Sequence, residues 1–175
     1  MRVIGGEFRS RRLKSIPGLA TRPTPDRLRE TLFDILGAQV EGAVFLDAYA
    51  GTGAVGIEAL SRGAARAVFI EKSKNAANVL RENLASLVVG DRALVVVAPT
   101  LSSIAAHKAD IAFLDPPYER ESEYAPALRL LSENPPRLVV VQHSVRFTLA
   151  ASYGALRRTR TSKQSDNALS FYAQE

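Results

Sequence analysis

The sequence predicts an α/β fold, a mostly parallel seven-stranded sheet with helices on both faces and a small N-terminal β-hairpin extension. Two observations predict it. Apolar runs at 44–46, 67–70, 93–97, 111–114 and 138–141 alternate with stretches of helical apolar spacing. Strands buried on both faces read as such unbroken runs, the mark of a parallel sheet. Two of the runs empty directly into a carboxylate and a tight turn, Asp47 before glycines and Asp115 before prolines. In open α/β sheets ligands gather at the carboxyl ends of the strands, so Asp47, Glu71, Asp115 and Gln142 should share one rim.

In chain order, Arg2-Val3-Ile4 and Leu13-Lys14-Ser15-Ile16 flank a Gly5-Gly6 turn and an Arg-rich arm, and read as a hairpin too short to own a core. Pro17-Gly18 ends it, and Thr21-Arg22-Pro23-Thr24-Pro25 forms a stiff linker. Residues 1–22 are therefore expected as a basic arm and 23–175 as the main domain. Thr24 is the expected N-cap of the next helix with Pro25 at its first position; Leu28, Leu32, Ile35 and Leu36 form the apolar face, and Gly37 stops it. Arg27 and Arg29 on the other face are either plain surface or part of a phosphate-binding strip.

A strand at 44–47 leads through Gly51 and Gly53 into a helix whose Val55, Ile57, Ala59 and Leu60 can pack back on the sheet. A strand at 66–71 and a helix at 73–87 follow, the latter with Ala76, Val79, Leu80, Leu84 and Leu87 on one side. The pattern continues with a strand at 91–97, a short helix at 101–106, a strand ending at Asp115, a helix at 124–132 and a strand at 138–141. Runs at 155–161 and 168–173, joined across Ser165-Asp166-Asn167, read as an antiparallel pair at the sheet edge.

At 175 residues and 46% hydrophobic the chain suits one domain with a full core. It has no run of about 18 apolar residues and no signal-like start, so a cytoplasmic protein without a membrane span is expected. Zero Cys excludes disulfides, zinc–thiolate sites and thiol nucleophiles, and two histidines, His107 and His143, cannot alone form a metal cluster; no metal is expected. His143 beside the rim reads as structural, and His107 as surface. The net charge of +5 is uneven. Residues 1–30 carry eight Lys+Arg against three Asp+Glu, 144–175 five against two, and the middle ten against thirteen. Closely spaced cations at Arg2, Arg9, Arg11, Arg12 and Lys14 suit phosphates beside a slightly acidic centre.

Gly51, Gly53 and Gly56 fit a dinucleotide fingerprint, with Glu71 about 20 residues on to hold ribose hydroxyls. Asp47 at the strand end would repel a pyrophosphate and suits a cation. S-adenosylmethionine carries a sulfonium and an α-ammonium, together with ribose hydroxyls for Glu71. At Asp115-Pro116-Pro117-Tyr118, a carboxylate, carbonyls without N–H donors and an aromatic ring suit an exocyclic amine on a flat base. Tyr49 fits core packing as well as a site role. A nicotinamide-dependent oxidoreductase would use the same glycines, and a non-catalytic RNA-binding or ribosome-assembly protein the same basic ends; both remain open on the residues alone.

The chain resembles the RsmD family of bacterial 16S rRNA guanine-N2 methyltransferases, class I enzymes with a Rossmann-like fold. The resemblance is carried by Arg2-Val3-Ile4-Gly5-Gly6, Arg22-Pro23-Thr24, Asp26 to Phe33, Asp47 to Gly63, Glu71 and Asp115-Pro116-Pro117-Tyr118. It implies methylation of one guanine of the small ribosomal subunit with S-adenosylmethionine; a monomer is expected. It also implies Asp47, Ala48, Gly51, Gly53, Glu71 and Lys72 at the cofactor, and Asp115, the Pro116 carbonyl and Tyr118 at the base. Arg2, Arg9, Arg11, Arg12, Arg22 and Thr24 would face RNA. Departures are Ala98-Pro99-Thr100 where an acid or amide often meets adenine, Gln142 where an acid is common, and Ser165-Asp166 in place of an aromatic-glycine turn.

Overall fold

The computed structural model describes residues 1–17 and 24–175. The linker residues 21–23, Arg22 among them, lie outside the described residues. One sheet runs in the order β3-β2-β1-β4-β5-β8-β7-β6. β1 (Val44–Asp47), β2 (Arg66–Glu71), β3 (Ala93–Val97), β4 (Ile111–Leu114) and β5 (Leu138–Ser144) pair in parallel. β6 (Ser152–Tyr153), β7 (Leu156–Gln164) and β8 (Asn167–Gln174) add the antiparallel edge, with β8 inserted against β5 and β7 outside it. Among the described residues the sheet thus has eight strands rather than the expected seven. The extra one, β6, is two residues long and leaves no alternation to read in a sequence.

Helices cover both faces because strand side chains alternate with period two. Phe45, Phe69, Ile111, Phe113 and Val140 point to the side of α1 (Asp26–Leu36), α2 (Ala54–Ser61) and α3 (Lys74–Leu87). Leu46, Val68, Ile70, Ala112, Leu114 and Val141 point to the side of α4 (Thr100–Ser103) and α5 (Tyr124–Ser132). α3 starts as expected, with the Ser73 hydroxyl accepting from the Ala76 N–H at 3.2 Å. α1 does not. Pro25, at ψ 140°, is its N-cap and supplies no side-chain bond, while the Thr24 hydroxyl donates to Asp115 Oδ2 at 3.4 Å. The predicted stop at Gly37 holds, at φ 52°.

The N-terminal arm is not a regular hairpin. A single antiparallel bridge joins Arg2 to Arg12, and Val3, Phe8 and Leu13 complete a cluster with Ile57, Leu60, Leu84 and Leu87. Backbone bonds from Val3 N–H to the Arg11 carbonyl at 3.0 Å and from Leu13 N–H to the Met1 carbonyl at 2.8 Å join its two halves, and α2 holds the arm from below. Gly6 lies so close to the Ser61 carbonyl that a Cβ there would collide with it, and φ is +79°. Buried Glu58 accepts from the N–H groups of Ile4 at 2.8 Å and Gly5 at 2.9 Å, and from Arg62 Nε at 3.0 Å.

Arg29 completes this junction and is no part of a phosphate strip. It is fully buried, donates from Nη2 to the Arg2 carbonyl at 2.6 Å and to Asp26 at 3.0 Å, and stands 3.7 Å from Glu58. Burial lowers its pKa while the Glu58 and Asp26 carboxylates oppose the shift. Arg27 is exposed.

Candidate active site

The turn between β1 and α2 is held from three sides. The Gly51 N–H donates to Glu71 Oε2 at 2.7 Å, so the end of β2 latches the turn directly, and Ser73 N–H takes the other carboxylate oxygen at 2.8 Å. Asn83 Nδ2, from α3, donates to the Thr52 carbonyl at 3.0 Å. The three glycines do different work. Gly51, at φ 57°, would carry a Cβ into open space, which suits close approach of a ligand. At Gly53, φ 95°, a Cβ would strike Leu80, and at Gly56 it would strike Phe69, so both serve close packing of α2 on its neighbours.

Asp47 is 2% exposed at the mouth of this turn. Its Oδ2 accepts from the Gly56 N–H at 3.0 Å, so it does cap the start of α2. That one donor does not offset burial: desolvation first, then the charges of Asp115 and Glu71, push its carboxyl up to about 7. A buried acid surrounded by other acids lacks a cation. An ammonium-bearing ligand would supply one, whereas a pyrophosphate would add to the repulsion. The residues present therefore fit the amino end of S-adenosylmethionine better than a dinucleotide. Ala48 is fully buried and both its backbone groups are engaged, the N–H by the Phe113 carbonyl at 3.0 Å and the carbonyl by the Thr100 hydroxyl at 2.6 Å. Lys72 is exposed beside Glu71.

β4 pairs with β1, so the Asp115 turn stands beside the glycine turn on the same rim. Asp115 is partly buried, Pro116 buried, and Tyr118 is 51% exposed at the head of a 3-10 turn, Tyr118–Glu123. Tyr49 and Glu123 add polar atoms on the α4/α5 side of this rim. Tyr49 Oη and Glu123 Oε2 are both buried without a hydrogen-bond partner. Burial, then the Glu123 charge, raises the Tyr49 pKa. Gln142 Oε1, on β5, is likewise buried and unpartnered.

Of the expected RNA-facing residues, Arg2, Arg9, Arg11 and Arg12 are exposed on the arm, and Thr24 is buried against Asp115. Arg11 donates to the Ser86 carbonyl at 2.7 Å, which ties the arm to α3. His143 is structural: one ring nitrogen meets Ser170 Oγ and the other the Ser144 carbonyl, both at 2.8 Å, and burial lowers its pKa. His107 is partly buried rather than fully on the surface. Sequence reasoning passed over Asn83, Glu58 and Thr100. Each is a polar residue within a helix, and only tertiary packing shows that it bonds backbone of the arm or of the rim.

The family described as "Conserved hypothetical protein 95" matches residues 1–173. The chain is 34% identical over 169 residues to the Bacillus subtilis protein YlbH, covering 91% of each. It is 37% identical over 139 residues to ribosomal RNA small subunit methyltransferase D of Haemophilus influenzae, covering 77% of this chain and 72% of that protein. Among solved structures, yhhF of Escherichia coli superposes with a TM-score of 0.87 at 37% identity, covering 100% of this chain and 98% of the other.

Proposed function

The chain belongs to the RsmD family of methyltransferases, and from that premise we propose that it methylates the exocyclic N2 amine of one guanine in 16S rRNA of the small ribosomal subunit. The methyl donor is S-adenosylmethionine. When bound, it supplies an electrophilic methyl group on a sulfonium. The protein is proposed to act as a monomer in the cytoplasm; no helix among the described residues is long and apolar enough to cross a membrane.

On this reading Asp47 receives the cationic amino end of the donor and Glu71 the ribose hydroxyls, Glu71 keeping Gly51 in place with the same carboxylate. Asp115 and the Pro116 carbonyl accept the two amine hydrogens. That orients the weak lone pair of N2, and Tyr118 stacks on the base. Asp115 is also a proton acceptor for the amine as its nitrogen becomes positive. Such a site accelerates mainly through proximity and orientation. Exposed Arg2, Arg9, Arg11 and Arg12 hold RNA phosphates. A loop guanine is partly unstacked already, so drawing it out costs only about a few kcal/mol.

The observation that carries the proposal is the pairing of β1 with β4, which sets a buried acid in need of a cation beside an acceptor-rich turn with an exposed aromatic ring. The test is transfer of a labelled methyl group from S-adenosylmethionine to small subunits from cells lacking this protein, with the product nucleoside identified by mass spectrometry. N2-methylguanosine is the expected product. Labelling of a different atom would move the base assignment, and absence of donor binding would overturn the roles of Asp47 and Glu71.

A further inference from the structure

Gln142 is the one glutamine of the central parallel strands, and it is buried, 5% exposed, with Oε1 lacking any hydrogen-bond partner. A buried amide oxygen left unpaired costs about 1–3 kcal/mol, so its retention calls for a reason. Its surroundings do not supply a partner. On the β8 side it faces Leu169, and its own backbone carbonyl is taken by the Tyr124 hydroxyl at 2.8 Å. His143, the next residue, points to the opposite face and is satisfied by Ser170.

The register tells where the side chain stands. Leu114 and Val141 are the last pair of the β4–β5 ladder, so Asp115 and Gln142 are the next residues beyond that pair at its carboxyl end. Alternation gives the face. Val139 and Val141 belong to the cluster under α5, Val140 and Leu169 to the cluster under α1, and Gln142 therefore falls on the α1 side. That is also the side from which Thr24, just ahead of α1, donates to Asp115. The orphaned oxygen thus belongs to the same face and the same end of the sheet as the carboxylate assigned to the base amine.

We propose that Gln142 is a specificity-determining residue that reads the Watson–Crick edge of the target guanine, its Oε1 accepting the N1–H that lies next to the N2 amine. The inference rests on the reading of Asp115 given above. A guanine presents the donors N2–H and N1–H and the acceptor O6 in a row. A carboxylate beside a carboxamide matches that order: Asp115 takes the amine, Gln142 Oε1 takes N1–H, and the amide N–H of Gln142 suits O6. A base with a bare lone pair at N1 would set acceptor against acceptor in a buried place, which is how a polar site rejects an analogue most strongly.

The test compares two bases at the target position of reconstituted small subunits: guanine, and 2-aminopurine, which keeps the 2-amino group but lacks N1–H and O6. Wild-type protein should methylate guanine about 10- to 100-fold faster in kcat/KM. Gln142→Leu should bring the two bases to within about threefold of each other, with affinity for S-adenosylhomocysteine unchanged. Gln142→Glu, which retains an acceptor, should preserve the preference for guanine. If Q142L does not fold, Q142M poses the same question with an unbranched side chain. A wild-type-sized preference in either apolar variant overturns the assignment and leaves the proposed reaction standing. No preference in wild type overturns it as well. If wild type labels no guanine, the proposed function fails, and this inference fails with it.

Discussion

The two turns on the rim are built in opposite ways. The glycine turn after β1 is braced at Gly51 by Glu71, at Thr52 by Asn83 and at Gly56 by Asp47, and two of its three glycines are required by side chains packed behind them. The turn after β4 stands near buried polar atoms that lack a hydrogen-bond partner, Gln142 Oε1 and Glu123 Oε2 among them, the latter with only Arg120 Nε at 3.9 Å. A ligand that is the same in every turnover can be met by a rigid, satisfied cradle. On the proposed reading, a base drawn from RNA would bring partners to such groups. Preorganisation favours binding in the first case and discrimination in the second.

The largest test of this contrast removes the carboxylate proposed to meet the base. Asp115→Ala should lower methylation by about 10²- to 10³-fold, the scale for losing one oriented polar group at a reacting centre. Affinity for S-adenosylhomocysteine and for small subunits should stay within about threefold of wild type. Binding measured by calorimetry and filter retention alongside single-turnover rates decides it. Loss of donor binding in this variant would mean that the two turns are one site and not two.

Next in size is the buried acid of the cradle. Asp47 sits at about 7 in the folded chain against an ordinary 3.8. The folded protein therefore keeps a proton between those values that the unfolded chain has lost, and this group lowers stability as pH rises through that window. A cationic ligand binds the ionised form. Affinity for S-adenosylhomocysteine should weaken by about tenfold per pH unit below 7 and level off above it. Asp47→Asn should bind about 10- to 100-fold more weakly at pH 8, the range for a hydrogen bond to a charged group, lose the pH dependence, and melt higher there than wild type. Thermal unfolding and titration calorimetry at pH 6 and 8 check both signs.

The contrast also explains what could be read from the sequence. β1, β2, β4 and the two carboxylate-ended turns were legible because a buried parallel strand is an apolar run and a functional turn breaks it with glycine or proline. Where a polar residue's meaning depends on what folds over it, the sequence was silent. Arg29 reads as surface charge, yet it lies under the arm and pairs with Asp26 and Glu58. Thr24 has the chemistry of an N-cap, but the extended backbone at Pro25 starts the helix and frees the hydroxyl for Asp115. The arm reads as a hairpin because two short runs, Arg2-Val3-Ile4 and Leu13-Lys14-Ser15-Ile16, flank a Gly5-Gly6 turn. Its two halves do meet, through a short run of backbone bonds, but its apolar residues are buried against α2 and α3.

The smallest effect expected sharpens the comparison most, because it asks how far the rigid turn depends on the arm. Asn83 is 2% exposed; its Oδ1 accepts from the Lys14 N–H at 2.7 Å, and its Nδ2 donates to the Lys14 carbonyl at 3.1 Å and to the Thr52 carbonyl at 3.0 Å. One side chain thus joins the basic arm to the cradle. Asn83→Ala strands three buried or partly buried backbone groups, which should cost about 2 kcal/mol and lower the melting temperature by roughly 4–8 °C. Both affinities should then fall by about two- to fivefold, for donor through Thr52 and for RNA through Lys14, with the ratio of guanine to 2-aminopurine untouched. A loss confined to RNA would show that the latches at Glu71 and Asp47 suffice for the cradle. A loss confined to the donor would show that Glu58, Arg29, Arg11 and the packed apolar residues hold the arm without Asn83.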